Sequence, residues 1–491
     1  MNLALALRTR ADRSAAAAAI ESGDGQWTFA QLADHARRGA TQLLASLPPG
    51  DGPIAILLPG DARFVAWFCA AALAGRVVIP LNTRLTAAEL ALQLADSRAQ
   101  CLLCAGDDAR LPEIRSQLPG IGVLHAPPFD TLPPAGARLP GESAAGDSTL
   151  AALFTSGTSG RAKGACLSWA NFAASAAGAR EVLGPAVARR WLCCMPMFHV
   201  GGLSILVRSL LYGGPVRLLP RFEVEAVSEA LDAGDIAGVS LVPTMLSRLL
   251  EHRGGRPAPA GLEVLLLGGA AAPDALLARA QRLGYPVFVT YGLTEATSQV
   301  ATARLPVAAQ AARAPMLPLP GTELRIVAEG RDAAVGEPGE ILVRGPTVMS
   351  GYLGDAQASA RAIRGGWLHT GDLGLLQADG GLSVLDRRDD LIVSGGENVY
   401  PAEVEAVLLS HPSVAEAGVA GLPDADLGAR VAAWVVIRAG ATLDAAALAQ
   451  HCSRRLAGYK RPREFHFVRG LPRTAAGKLQ RRSLAALAGD R

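Results

Sequence analysis

Through the first 300 residues, short leucine-rich or β-branched runs alternate with alanine-rich stretches of helical character. Pro53-Ile-Ala-Ile-Leu-Leu-Pro59 precedes a predicted helix from Ala62 to Leu73, and Val264-Leu-Leu-Leu-Gly268 precedes one from Pro273 to Leu283. Strands apolar at consecutive positions must be covered on both faces, and a helix after each supplies the cover, so the pattern predicts mainly parallel α/β sheets. From Gly321 to Leu385 the rhythm changes to strands and tight turns, as in Glu340-Ile-Leu-Val-Arg344 and Gly381-Leu-Ser-Val-Leu385, which predicts a β-rich subdomain. After Asp386-Arg-Arg-Asp-Asp390 a smaller α+β unit is expected, with helices over 402–409 and 444–456 and strands near 414–419 and 432–437. At 491 residues the chain exceeds the length at which one core stops growing, and a polar joint between two self-sufficient patterns marks a boundary. The expected division is residues 1–386, with the β-rich part at about 321–385, and residues 387–491.

Half of the residues are hydrophobic and 19% charged, a globular balance. The net charge of +3 comes from arginines interspersed with acids, so no nucleic-acid partner is expected. The N-terminal segment has its apolar stretch before its positive charges, the reverse of a secretory signal, and the most apolar run, Phe64 to Leu73, is too short to span a bilayer. A cytoplasmic protein without a membrane span is expected, with a homo-oligomer left open. Seven scattered cysteines are no disulfide framework. Cys101-Leu-Leu-Cys104 and Cys193-Cys194 read as strand core, no histidine pair has zinc-ligand spacing, and the Pro, Gly and Ala-rich stretch from Ala126 to Gly146 reads as a surface loop.

Lysine is nearly absent: Lys163, Lys460 and Lys478 stand against 44 arginines. A position kept as Lys in such a chain calls for a compact ammonium on a flexible stem. Lys163 closes Thr155-Ser-Gly-Thr-Ser-Gly-Arg-Ala-Lys-Gly164, after the apolar strand Leu150–Phe154. Glycines that turn backbone N–H groups toward an anion, with hydroxyls as further donors, make a polyphosphate grip. No Gly-Lys-Ser/Thr triplet follows, so it is not a Walker loop. Tyr291-Gly-Leu-Thr-Glu-Ala-Thr297 follows another predicted strand and offers an aromatic face, a hydroxyl and a magnesium-binding carboxylate within five residues. Asp372 and Arg387 supply a carboxylate and a fork suited to ribose hydroxyls.

Six segments occur in one order: Thr155–Gly164, Pro196-Met-Phe-His199, Gly268-Gly-Ala270, Tyr291-Gly-Leu-Thr-Glu295, Gly371-Asp372 and Pro472-Arg-Thr-Ala-Ala-Gly-Lys478. Together they resemble the core motifs of the adenylate-forming superfamily of acyl-CoA synthetases, adenylation domains and luciferases. The resemblance implies ATP, Mg2+ and CoA as cofactor and co-substrates and a small carboxylic acid as partner, joined in two half-reactions. It implies that Lys478 meets the carboxylate and α-phosphate, and that Glu295 holds the metal. It implies that Thr155, Ser156, Gly157, Thr158, Ser159, Gly160 and Lys163 bind the outer phosphates, that Gly268, Gly269, Ala270, Tyr291, Gly292 and Thr294 surround the nucleotide, and that Asp372 and Arg387 meet the ribose. By the same resemblance Asp389 is the hinge of a mobile C-terminal domain, Gly395, Gly396, Glu397 and Asn398 line a CoA tunnel, and His199 gates the acyl pocket.

The segments Trp191–Leu206, Ser240–Leu246 and Leu385–Ile392 most resemble o-succinylbenzoate-CoA ligases of menaquinone biosynthesis. Arg208 interrupts the apolar run Leu203–Tyr212, and a buried guanidinium demands an anionic partner: Arg208 is a candidate for holding a second substrate carboxylate, the alternatives being a pair with an acid of the protein or a side chain that reaches solvent. The alternatives are another aryl- or acyl-CoA synthetase, a stand-alone enzyme that loads a carrier protein, and a silent nucleotide-binding regulator. The last would be expected to lack Lys478 or Glu295.

Overall fold

The structure, a computed structural model of the chain, describes all residues except 24, 49, 137, 156–161, 307–314, 388–391, 395–396, 400, 425–426, 457, 475–476 and 490–491, and at 386, 387, 393, 397, 398, 488 and 489 only the backbone is described. Four sheets organise the described residues. One has seven strands, of which Thr149–Thr155, Val78–Pro80, Ile54–Leu57, Cys101–Cys104 and Gly122–His125 run parallel. The second has nine, with a parallel run through Val287–Tyr291, Val264–Leu267, Gly238–Leu241, Trp191–Cys193, Val216–Leu218 and Ala18–Ser22. As the alternating pattern predicts, the inner strands Ile54–Leu57, Val264–Leu267 and Gly238–Leu241 are buried at every position.

Helix Ala62–Leu73 shows why these elements form where they do. Its N-cap Asp61 accepts a hydrogen bond from the Phe64 N–H at 3.0 Å, and nearly all of its side chains are buried, Trp67 and Phe68 completely. The cap satisfies one orphan donor, and burial of each large side chain contributes roughly 1.5–3 kcal/mol. The predicted helix from Pro273 to Leu283 is Asp274–Arg282, with Pro273 as its N-cap.

The third sheet is antiparallel and built from Glu323–Ala328, Gly339–Arg344, Trp367–Leu376, Leu382–Arg387 and two short strands, which matches the expected β-rich region. The fourth joins Val414–Asp424 and Gly428–Ile437 to Ile392–Ser394, Glu397–Val399 and Glu464–Phe467, under helices Pro401–Leu409 and Ala445–Ser453. It has its own apolar core around Val404, Val419, Val435 and Leu448.

The stretch from Ala126 to Gly146 departs from the surface-loop expectation. Phe129, Leu132 and Leu139 are buried, and Phe129 stacks on His35 and meets Trp27 and Trp67. The turns are proline and glycine chemistry, as composition indicates, but three scattered apolar anchors pin the segment to the core. All seven cysteines are free and buried, and burial pushes the thiols of Cys101 and Cys104 up to about 11, which suits strand core and not redox work. Among the described residues no helix is long and apolar enough to cross a membrane.

Candidate active site

The motif residues converge because parallel strands deliver their C-terminal ends to one side of a sheet, where ligands bind in open α/β folds. Thr155 ends the strand Thr149–Thr155, and Lys163 begins the antiparallel strand Lys163–Ser168, directly opposite it in register. The connecting Ser156, Gly157, Thr158, Ser159 and Gly160 lie outside the described residues. The strand Val287–Tyr291 ends in Tyr291, and the short 3-10 turn Thr294–Ala296 then presents Glu295. Thr155 Oγ1 donates to Glu295 Oε1 at 3.4 Å, so the two motifs meet across sheets.

The turn after Tyr291 is tightly constrained. A Cβ on Gly292 would lie 1.5 Å from the Ser298 carbonyl oxygen, so no other residue fits. Thr297 and Ser298 both have φ in the left-handed region, at 52° and 83°. Such strain is held in place by the Thr297 hydroxyl donating to the Thr347 carbonyl at 2.6 Å and the Ser175 hydroxyl donating to the Thr297 carbonyl at 2.7 Å.

Next to this turn, the strand Val264–Leu267 runs into Gly268, with Gly269 and Ala270 exposed beyond it. The Tyr291 hydroxyl donates to Asp372 Oδ2 at 2.8 Å, which joins the nine-stranded sheet to the antiparallel one. Asp372 is buried and opposes Arg387 in the strand register. Aromatic face, carboxylate and open glycine corner therefore sit side by side, as nucleoside recognition requires.

A third corner belongs to the helix Val200–Tyr212. His199 is its N-cap, with a buried Nε2 that has no partner among the described residues. Burial pushes the imidazole down to about 4, and the positive charges of Lys478 and Arg84 push in the same direction. His199 is therefore neutral at physiological pH. Lys478, from the C-terminal segment, is thus one of the two cations whose field reaches His199. Lys478 is exposed and its turn is closed by the Thr474 N–H donating to the Lys478 carbonyl at 2.8 Å.

Arg208 lies further along the same helix, 4% exposed, with its guanidinium 4.5 Å from the Trp191 ring. Its Nη2 is buried without a hydrogen bond, and among the described residues it has no ion pair. Burial lowers its pKa to about 10, which leaves it charged at neutral pH. Trp191 in turn donates from Nε1 to Ser240 Oγ at 3.3 Å. At the other end, Arg10 donates to the carbonyls of Leu210, at 3.0 Å, and Leu211, fixing the helix C-terminus with a cation.

The remaining predicted residues divide into two groups. Lys460 Nζ donates to both carboxylate oxygens of Glu403 at 2.7 Å. Glu397 and Asn398 lie on a strand paired with Ile392–Ser394, while Asp389, Gly395 and Gly396 lie outside the described residues. Tyr352 was not predicted. It meets Glu295 from a strand of two residues, 57 positions further along the chain, and none of the six motifs contains it.

Residues 7–353 match the model of the AMP-binding enzyme family, and residues 403–478 that of the AMP-binding enzyme C-terminal domain. The chain is 41% identical over 483 residues to the 2-succinylbenzoate-CoA ligase of Geobacillus kaustophilus, covering 98% of this chain and 97% of that one. It is similar, with a TM-score of 0.91 and 37% identity, to the o-succinylbenzoate CoA synthetase of Bacillus subtilis in complex with the acyl-adenylate intermediate, over 98% and 97% of the two chains. A double mutant of that enzyme with a CoA product analogue covers 99% and 98% at the same identity, with a TM-score of 0.73. With both parts of the family's pattern matched, over residues 7–353 and 403–478, the chain belongs to the AMP-binding enzyme family.

Proposed function

We propose that the chain is an o-succinylbenzoate-CoA ligase that works in two half-reactions. A carboxylate oxygen attacks the α-phosphorus of ATP as the bond to pyrophosphate breaks. The CoA sulfur then attacks the acyl carbon, loses its proton and expels AMP. The observation that carries the acid assignment is Arg208: a buried, charged guanidinium with an unpartnered Nη2 is built for a carboxylate that arrives with the substrate. A dicarboxylate acid activated at one end leaves its other carboxylate for this contact.

The repulsion between carboxylate and polyphosphate sets what the other residues do. Lys478 neutralises charge between the two reactants, and Lys163 serves the outer phosphates. Tyr291 and Gly268 to Ala270 hold adenine, while Asp372, oriented by the Tyr291 hydroxyl, and Arg387 hold ribose. Thr294 and Gly292 shape the turn. His199, neutral, lines the acyl pocket without adding another cation to it.

Glu295 fits a magnesium ion. Its Oε1 accepts from Thr155 and Tyr352, its Oε2 accepts nothing among the described residues, and no cluster of three or more metal-ligating side chains occurs among them. Mg2+ commonly takes one or two carboxylates and completes its shell with phosphate and water. When bound, it screens the charge of the transferred phosphates.

Residues 1–386 form the adenylating body in this reading, and residues 387–491 a mobile unit that turns at Asp389. In one orientation it brings in Lys478; in the other Gly395, Gly396, Glu397 and Asn398 line the pantetheine path. The higher overall similarity to the acyl-adenylate complex supports the first orientation here, and the field of Lys478 felt at His199 agrees with it. ATP and CoA supply and seven buried free thiols suit the cytoplasm.

Separate assays of the two steps test the proposal. Lys478→Ala is expected to slow adenylation by about 10²–10³-fold, the cost typical of losing one transition-state charge contact, while conversion of supplied acyl-adenylate to the thioester persists. Equal loss in both steps contradicts the two-orientation account.

A further inference from the structure

Lys163 and Glu295 carry opposite charges in the same corner, yet among the described residues they form no ion pair. Tyr352 stands between them. Its hydroxyl donates to Glu295 Oε1 at 3.0 Å, and Lys163 Nζ lies 5.4 Å from its ring centroid.

The placement is fixed from several sides. The strand Gly351–Tyr352 pairs with Cys166 and Ala165 on the strand that begins at Lys163. The Met349 N–H donates to the Glu295 carbonyl at 2.8 Å, and the Leu353 N–H to the Gly164 carbonyl at 2.8 Å. The Tyr352 N–H donates to Ser359 Oγ at 2.8 Å, an approach that only glycine at 351 allows, since a Cβ there would lie 2.8 Å from that same oxygen.

We propose that Tyr352 is a positioning residue that keeps the phosphate-loop lysine and the metal carboxylate apart and ready. The ring face holds the ammonium, and the hydroxyl engages Oε1 and turns Oε2 outward. Without this spacer, Lys163 and Glu295 pair with each other and cancel the two charges that a metal-nucleotide complex needs. The inference rests on the reading of Glu295 as the metal carboxylate.

The test measures ATP binding to the full-length protein by calorimetry across a magnesium titration, with no turnover required. Tyr352→Phe keeps the ring and removes the hydroxyl. It is expected to raise the magnesium midpoint by about tenfold, the lower end for loss of a group that orients a metal ligand, with magnesium-free ATP affinity within about twofold of wild type. Tyr352→Leu is expected to raise the midpoint as much and also to weaken magnesium-free ATP binding, because Lys163 is then free to pair with Glu295. A Tyr352→Phe midpoint equal to wild type, alongside a raised midpoint for Glu295→Gln, overturns the inference alone. An unshifted midpoint in Glu295→Gln overturns it together with the metal reading.

Discussion

Arg208 and Arg253 are each 4% exposed, and each lies on a helix against the nine-stranded sheet, but their surroundings differ in kind. Arg253, at the end of helix Pro243–Arg253, donates to Asp232 at 2.8 Å, to Ser228 at 3.0 Å and to the Pro257 carbonyl at 3.3 Å, so that only its Nε is buried without a partner among the described residues. Arg208 has a tryptophan ring and a buried Nη2 with nothing to donate to among the described residues. Arg76, similarly buried, resembles Arg253 in bonding to Gln100 Oε1 and the Pro48 carbonyl. Burying a charge is costly unless it is paired, so the chain spends stability at Arg208 that it recovers at Arg253. In the proposed reading, that difference separates a residue that serves the fold from one that serves a ligand.

The largest effect that tests the contrast comes from Arg208→Leu. The kcat/KM for o-succinylbenzoate is expected to fall at least about 10²-fold, equivalent to roughly 3 kcal/mol and carried mainly by KM, since the substrate carboxylate is then buried unpaired. Thermal stability is expected to hold or rise. Arg208→Lys keeps the charge without the fork and is expected to lose about tenfold. A large drop in melting temperature for Arg208→Leu, with KM unchanged, would place Arg208 in the same class as Arg253.

Arg253→Leu is expected to do the converse. It should cost about 2–3 kcal/mol of stability, less than the ~3–5 of a fully buried pair because Asp232 keeps contact with water, and denaturant unfolding measures it. The kinetic constants of the folded fraction are expected to stay at wild-type values.

The smallest effect concerns His199, the other buried group of the Arg208 helix without a partner at one nitrogen. Its folded pKa of about 4 lies below the ordinary value of 6.5. Between those values the unfolded chain holds the extra proton, so stability rises with pH through that window and is lost as pH falls from 6.5 toward 4. Unfolding measured at several pH values is expected to show a steeper acid decline for wild type than for His199→Gln, and matching slopes would remove the burial argument.

How far each of these features could be read from the sequence follows from how local its cause is. The helix Ala62–Leu73 was legible because the apolar run Phe64 to Leu73 follows a short apolar strand segment in the alternating pattern. Arg208 was legible because a charge inside an apolar helix has few places to go. The anchoring of Ala126 to Gly146 was not, since Phe129 meets Trp27, His35 and Trp67 far away in the chain, and the buried Phe129, Leu132 and Leu139 follow no period. Tyr352 was missed for a related reason. A two-residue strand has no pattern, and its role depends on contacts with Lys163 and Glu295 made only when the chain folds. The motifs fixed which atoms gather at the rim, but pairing across sheets decides which of them are kept apart.

The central claim is that Arg208 waits for a carboxylate of the acid. CoA-dependent AMP release from o-succinylbenzoate, compared with the same acid lacking its ring carboxylate, 4-oxo-4-phenylbutanoate, tests it in wild type and Arg208→Leu. The account predicts that wild type prefers the dicarboxylate by about 10²-fold or more and that the variant loses the preference. Equal use of both acids by wild type, or a preference that survives in the variant, would contradict it.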